Sequence, residues 1–140
     1  MLDDFNYKPL IRVIDDDDSV RRSWAFLLSG ESYDVVTFAD ANSFLASSDF
    51  RRYGAILLDV RMPNMSGLEL QNKLKAMGCD LPIIFISGHG DIDMAVNTLK
   101  NGAVDFLQKP VNDTRLLEVI DAAVARNKAA RRDQAEVAGF

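Results

Sequence analysis

Four consecutive aspartates, Asp15 to Asp18, follow directly on the largely apolar run Leu10 to Ile14. Like charges about 5 Å apart at an effective dielectric near 20 repel by roughly 3 kcal/mol per pair. The run must therefore hold something or cap something. Asp15 and Asp16 lie nearest the end of the run and can face an ion. Asp17 and Asp18 precede a helical pattern, where carboxylates accept from free N–H groups and favour the positive helix end. A further aspartate, Asp59, ends the apolar run Ala55-Ile56-Leu57-Leu58. It has no helix to cap, because Met62-Pro63-Asn64-Met65-Ser66-Gly67 intervenes before the next helical pattern. Three carboxylates without histidine or thiolate point to a hard cation, and Mg²⁺ suits a site offering few protein oxygens. Ser87 ends another apolar run, and Lys109, followed by Pro110, ends a fifth.

The elements that must position these groups follow from hydrophobic period. Leu10 to Ile14, Tyr33 to Phe38, Ala55 to Leu58, Ile83 to Ile86 and Asp105 to Leu107 read as strands, mostly without alternation, as in a sheet covered on both faces. Between them, Val20, Trp24, Leu27 and Leu28 fall on one helical stripe. So do Leu70, Leu74 and Met77, then Ile92, Ala95, Val96 and Leu99, and last Leu116, Leu117, Ile120, Ala123 and Val124. Asp40 is placed to cap a short second helix, and Ser66 with Glu69 forms a capping box for the third. The expected fold is α/β: a doubly wound, five-stranded parallel sheet of (βα)5 type with right-handed crossovers, a three-layer sandwich. In such a sheet ligands bind at the carboxyl edge beside the switch point, where Asp15, Asp16, Asp59, Ser87 and Lys109 all arrive.

Composition narrows the function classes. The 140 residues are 48% hydrophobic with a formal net charge of -5, which fits one globular domain and disfavours a grip on nucleic acid or anionic lipid. Cys79 is the only cysteine and His89 the only histidine, excluding an internal disulfide or a Cys/His zinc cluster. No run approaches the roughly 18 apolar residues of a membrane span, and the expected location is the cytoplasm. Arg126, Lys128, Arg131 and Arg132 make the C-terminal end locally basic, read as a solvated helix face.

Asp15-Asp16, Asp59 with Met62-Pro63 and Ser66-Gly67, Ser87-Gly88 and Lys109-Pro110, in this order, resemble the receiver domain of two-component response regulators, with its CheY-like, flavodoxin-like fold. The strings RMPNMSGLEL, ISGHGDIDMAV and GAVDFLQKP look most like the FixJ-type branch, whose members usually carry a helix-turn-helix output domain. The resemblance divides the chain into an N-terminal extension (1–9), a receiver domain (10–125) and a tail or linker start (126–140). It implies that Asp59 accepts a phosphoryl group from the phosphohistidine of a sensor kinase. Asp15, Asp16, Asp59 and the backbone carbonyl of Arg61 would hold Mg²⁺, and Ser87 and Lys109 would bind the phosphoryl group. Phe106 would be the aromatic that moves with Ser87, and the Lys109-Pro110 bond would be cis. Arg61 and His89 occupy loop positions that tune access of water. Such a domain is a signalling module rather than an enzyme, promoting only its own Mg²⁺-dependent phosphorylation and dephosphorylation. The fourth helix and fifth strand would present the switched surface, for a homodimer or a partner in transcription regulation.

One rival comes from another class. Asp16-Asp17-Asp18-Ser19-Val20 also matches the D-x-D-x-[TV] motif of haloacid-dehalogenase-like phosphatases, with Asp16 as nucleophile and Asp18 as acid, and Ser87 and Lys109 in supporting roles. That reading needs an acidic pair downstream of the lysine, where only Asn112-Asp113 is present, and it leaves Asp59 without work.

Overall fold

The computed structural model describes residues 8–47, 49–88 and 92–137; residues 1–7 of the expected extension and His89 lie outside the described residues. Strands and helices alternate along the chain: β1 (Leu10–Ile14), α1 (Asp18–Ser29), β2 (Asp34–Phe38), α2 (Ala41–Ser47), β3 (Gly54–Asp59), α3 (Gly67–Ala76), β4 (Ile83–Ser87), α4 (Ile92–Lys100), β5 (Asp105–Gln108) and α5 (Asp113–Val137). All strand pairs are parallel, in the order β2-β1-β3-β4-β5. The chain thus reverses direction of growth between β1 and β3. That is the switch point, and the aspartates following β1 and ending β3 meet there.

The largely apolar runs of β1, β3 and β4 are explained by two cores, one on each face of the sheet. Ile11, Val13, Leu57 and Ile84 pack with Leu28 of α1 and Leu116, Ile120 and Val124 of α5. Ile14, Ile56, Leu58 and Phe85 pack with Phe44 of α2 and Leu70 and Leu74 of α3. At about 25 cal/mol per Å², this two-sided burial is the main stabilising term. The caps form as the sequence indicates: Asp40 Oδ1 accepts from the Ser43 amide at 2.7 Å, and Ser66 Oγ accepts from the Glu69 amide at 3.1 Å.

Parts of two helical stripes are exposed rather than seated on the sheet. Met77 is 56% exposed at the C-cap of α3, one residue past the last helical residue, Ala76. On α4, Ile92, Val96 and Leu99 all face solvent, while the residue buried beneath the helix is Thr98, with Met94 half-buried beside the core. The apolar stripe of α4 is therefore a surface, not a core face.

α5 continues as one helix past Ala125 to Val137, held by polar rather than apolar contacts. Asn127 Oδ1 accepts from the Gly54 amide at 3.0 Å, and the Lys128 ammonium sits 5.4 Å from the Tyr53 ring centre. Arg131 grips Asp80 through two nitrogens, at 3.0 and 2.8 Å, and donates to the carbonyls of Phe50 and Arg51. The neighbouring carbonyls of Asp49 and Arg52 are taken by Arg12, which is fully buried in β1. Burial, with Arg131 nearby, pushes the Arg12 guanidinium down to about 10, still charged at neutral pH. Two arginines from distant elements thus take the four successive carbonyls from Asp49 to Arg52 ahead of β3. Arg12→Met should leave the Asp49 and Arg52 carbonyls without their donors and cost about 2 to 3 kcal/mol, read as a lower urea midpoint at unchanged slope.

Candidate functional site

The site is assembled at the carboxyl ends of β1, β3, β4 and β5. After β1 the four aspartates divide their work. Asp17 is the N-cap of α1, accepting from the amides of Ser19 at 2.9 Å and Val20 at 3.3 Å and from the Ser19 hydroxyl at 2.7 Å. Those bonds, the Ser19 hydroxyl first, hold its carboxyl below the usual range. Asp18 begins α1 and turns outward, 60% exposed, pairing with Arg21 at 3.0 Å and with Arg22. Asp15 points inward with no exposed side-chain surface, and Asp16 is exposed at the edge.

Asp15 is held on both oxygens: Oδ1 accepts from the Asp17 amide at 2.9 Å and Oδ2 from the Lys109 ammonium at 3.0 Å. Arg21 also donates to the Asp15 backbone carbonyl at 2.7 Å, tying the loop to α1. Across the switch point Asp59 is buried at the end of β3; its Oδ1 accepts from the Arg61 amide at 3.2 Å and its Oδ2 lies 3.8 Å from Lys109 Nζ. The Arg61 side chain is exposed. Carboxylate oxygens of Asp15, Asp16 and Asp59 lie within 4.8 Å of one another. Lys109 is one cation serving two buried anions, so charge is left over. Burial, then the Asp15 carboxylate, push the Asp59 carboxyl up to about 6, against the opposing pull of Lys109. Burial works against the Lys109 ammonium, but its hydrogen bond to Asp15 and the fields of Asp15, Asp59 and Asp17 together raise it.

The remaining strand ends complete the edge. Ser87 is buried at the end of β4, and its carbonyl accepts from the Lys109 amide at 2.7 Å. The Lys109-Pro110 bond is cis, as the resemblance implied. Phe106 stands half-buried on β5 opposite Phe85, the two rings stacked with centres 6.4 Å apart. Gly67 leaves room for the β3 end: a Cβ there would meet the Asp59 carbonyl oxygen at 2.5 Å, so the chain needs glycine for close approach at this point. Asp15, Asp16, Asp59, Ser87 and Lys109 are thus brought to one edge, whereas Asp18 is drawn away to its arginines. The phosphatase reading, which needs Asp16 and Asp18 as a working pair, loses its second carboxylate.

Two contacts were not legible in the sequence. Trp24 places its ring 5.9 Å from Lys109 Nζ, and Arg21 reaches back to Asp15. Trp24 reads as one more member of the apolar stripe of α1. No local signal separates it from Leu27, because its partner lies on the loop after β5.

Chemically, three carboxylates within reach of one point, with Asp59 pressed toward protonation, are a donor set that fits a hard, oxygen-liganded cation. A parallel sheet of this order with aspartates at its switch point and a lysine closing the edge defines a CheY-like α/β domain. The chain belongs to the response regulator receiver domain family, whose model matches residues 11–121.

Within the family the similarity is to FixJ-type transcriptional regulators. The chain is 42% identical over 125 residues to the transcriptional regulatory protein FixJ of Bradyrhizobium diazoefficiens, covering 89% of this chain and 61% of that protein. It is 47% identical over 116 residues to the transcriptional regulatory protein TdiR of Thauera aromatica, covering 83% of this chain and 51% of the relative. Among solved structures, the response regulator StyR superposes with a TM-score of 0.86 at 42% identity, covering 94% of this chain and 66% of that one. The FixJ-N crystal structure superposes with a TM-score of 0.77 at 41% identity, covering 84% of this chain and 94% of that one. The chain spans 51% to 61% of the length of the two regulators compared by sequence. Among the described residues no helix is long and apolar enough to cross a membrane.

Proposed function

We propose that this receiver domain takes a phosphoryl group onto Asp59 from the phosphohistidine of a sensor histidine kinase, and passes the change to its α4–β5 surface. The observation that carries the proposal is the charge imbalance at Asp59. The carboxylate is buried and short of cations, and it lies within 3.8 Å of a lysine already bonded to Asp15.

In the transfer, a carboxylate oxygen of Asp59 forms a bond to phosphorus as the phosphorus–nitrogen bond of the phosphoimidazole breaks. The bonding pair returns to the imidazole nitrogen. Mg²⁺, held by Asp15, Asp16, Asp59 and the Arg61 carbonyl, would supply neutralisation of the phosphoryl oxygens. Lys109 offers a compact ammonium to an equatorial oxygen and Ser87 a hydroxyl to another. Drawing Ser87 toward the modified Asp59 shifts the loop before α4, and Phe106 turns inward behind it. The Arg61 side chain and His89 act by tuning access of water to the acyl phosphate. The domain works as a switch rather than a turnover enzyme, and its output, by similarity to FixJ and TdiR, is transcription control. Its net charge of -5 fits a part that does not itself hold DNA.

With Mg²⁺ and acetyl phosphate the protein should gain one phosphoryl group, labile to hydroxylamine and mapped by borohydride reduction to Asp59. A stable label on any other residue would sink the assignment. The phosphatase alternative predicts steady hydrolysis of an unrelated phosphomonoester that depends on both Asp16 and Asp18. Mg²⁺ should also raise the melting temperature, by an increment that follows RT ln(1 + [Mg²⁺]/Kd). A rise that persists undiminished in Asp16→Asn would place the ion elsewhere.

A further inference from the structure

The Lys109 arm is confined on only some of its sides. Its ammonium meets Asp15 at 3.0 Å and Asp59 at 3.8 Å, and its side chain is 24% exposed. On the α1 side a cavity of about 430 Å³ opens beside it, lined by Ser19, Val20, Ser23, Trp24, Pro110 and Val111. A lysine with four rotatable bonds next to such a volume has many places to go, and holding it costs side-chain entropy. One wall of that cavity carries an attraction for a cation: the Trp24 ring, whose centre lies 5.9 Å from Lys109 Nζ. Tryptophan is the strongest of the aromatic partners, and the half-buried setting reduces the competition from water. The ring is itself fixed, because Trp24 packs against the α1/α5 core.

We infer that Trp24 is a positioning residue for the phosphoryl-binding lysine, its ring attracting the Lys109 ammonium from the α1 side while Asp15 and Asp59 hold it from the other, so that the arm keeps one place. The inference rests on the reading of Asp59 as acceptor and Lys109 as phosphoryl ligand. It assigns to α1 a part in the chemistry beyond carrying the aspartate caps. A structural role alone would make Trp24 important for the fold and indifferent to what binds at Asp59. A positioning role makes it matter more to the anion, which Lys109 would bond directly, than to the metal, which Lys109 reaches only through Asp15 and Asp59.

The test is affinity for beryllofluoride in the presence of saturating Mg²⁺, read from the ¹⁹F resonances of the bound fluorides, in the whole chain. Trp24→Leu should weaken binding about three- to tenfold, while Trp24→Phe, which keeps an aromatic face, should stay within about twofold of wild type. Mg²⁺ affinity, measured separately without beryllofluoride, should change far less than beryllofluoride affinity in both variants. In a Lys109→Gln background, adding Trp24→Leu should have no further effect, since the ring would have no ammonium to hold. Equal beryllofluoride affinity in wild type and Trp24→Leu overturns the inference. So does a parallel loss of Mg²⁺ and beryllofluoride binding, which would mark a general distortion of the site. Wild-type protein that binds no beryllofluoride at Asp59 would overturn the acceptor reading as well.

Discussion

Asp59→Asn should abolish phosphoryl uptake from acetyl phosphate and, in the same protein, raise the melting temperature of the metal-free fold. The two effects have one cause. In the absence of metal, Asp59 is a buried carboxylate beside Asp15, and its carboxyl is pushed up to about 6. The unfolded chain would titrate this group at the ordinary aspartate value of 3.8, so between these values the folded state binds the extra proton. A folded-state rise for an acid means stability falls as pH climbs through that window. The penalty is absent below about pH 4 and fully present above about pH 6. A shift of about two units corresponds to roughly 3 kcal/mol, an upper figure because part of the repulsion relaxes. Asparagine keeps the shape and can still accept from the Arg61 amide, which now lies 3.2 Å from Oδ1, while removing the charge. In EDTA at pH 7.5 the variant should therefore melt about 3 to 10 °C above wild type. At pH 4 the difference should vanish. With Mg²⁺ the order narrows or reverses, because wild type gains binding energy that the variant has given up. Equal melting temperatures at pH 7.5 without metal would show that the acidic cluster is not under electrostatic load.

The sheet and its edge were legible because each functional side chain follows an apolar run that both cores demand. Asp15, Asp59, Ser87 and Lys109 sit where β1, β3, β4 and β5 stop, and strand ends are what uninterrupted hydrophobic runs mark best. What hydrophobic period could not show is which side of a stripe faces the protein. Ile92, Val96 and Leu99 have the spacing of a core face, yet all three are exposed, and α4 rests on Thr98 and Met94 instead. Leu70 and Leu74 have the same spacing and are buried. The sequence treats the two helices alike; only the seat of each on the sheet separates them. The polar anchors were hidden for another reason. Arg12 bonds carbonyls 37 and 40 residues away, and Arg131 bonds Asp80, 51 residues away. Such pairings leave no local pattern. α5 past Ala125 likewise lacks apolar period, since Asn127, Lys128 and Arg131 hold it by hydrogen bonds, a cation–ring contact and an ion pair.

The exposed stripe of α4 leads to the other large effect. Ile92 is 80% exposed, Val96 42% and Leu99 44%, at i, i+4 and i+7, so they line one side of a short helix in water. Such a row of aliphatic side chains on the element proposed to switch is a candidate contact rather than surface noise. Beside it β5 carries Phe106, the residue proposed to turn inward with Ser87, so the row borders the part of the surface proposed to change. A two-state surface of this kind associates only as far as modification favours the binding-competent state. Beryllofluoride with Mg²⁺ should therefore move wild-type protein from monomer toward dimer in sedimentation. Ser87→Ala should weaken that move without preventing acylation of Asp59. Val96→Glu puts a charge at the centre of the row. A buried unpaired carboxylate costs several kcal/mol, so the dimer constant should fall about a hundredfold or more. In the monomer Val96 is already open to water, and the variant's melting temperature and its labelling by acetyl phosphate should match wild type. Dimerisation of Val96→Glu at wild-type strength would place the contact on another face. A wild-type protein that stays monomeric with its site demonstrably filled would transfer the reading of the signal to a partner of different sequence.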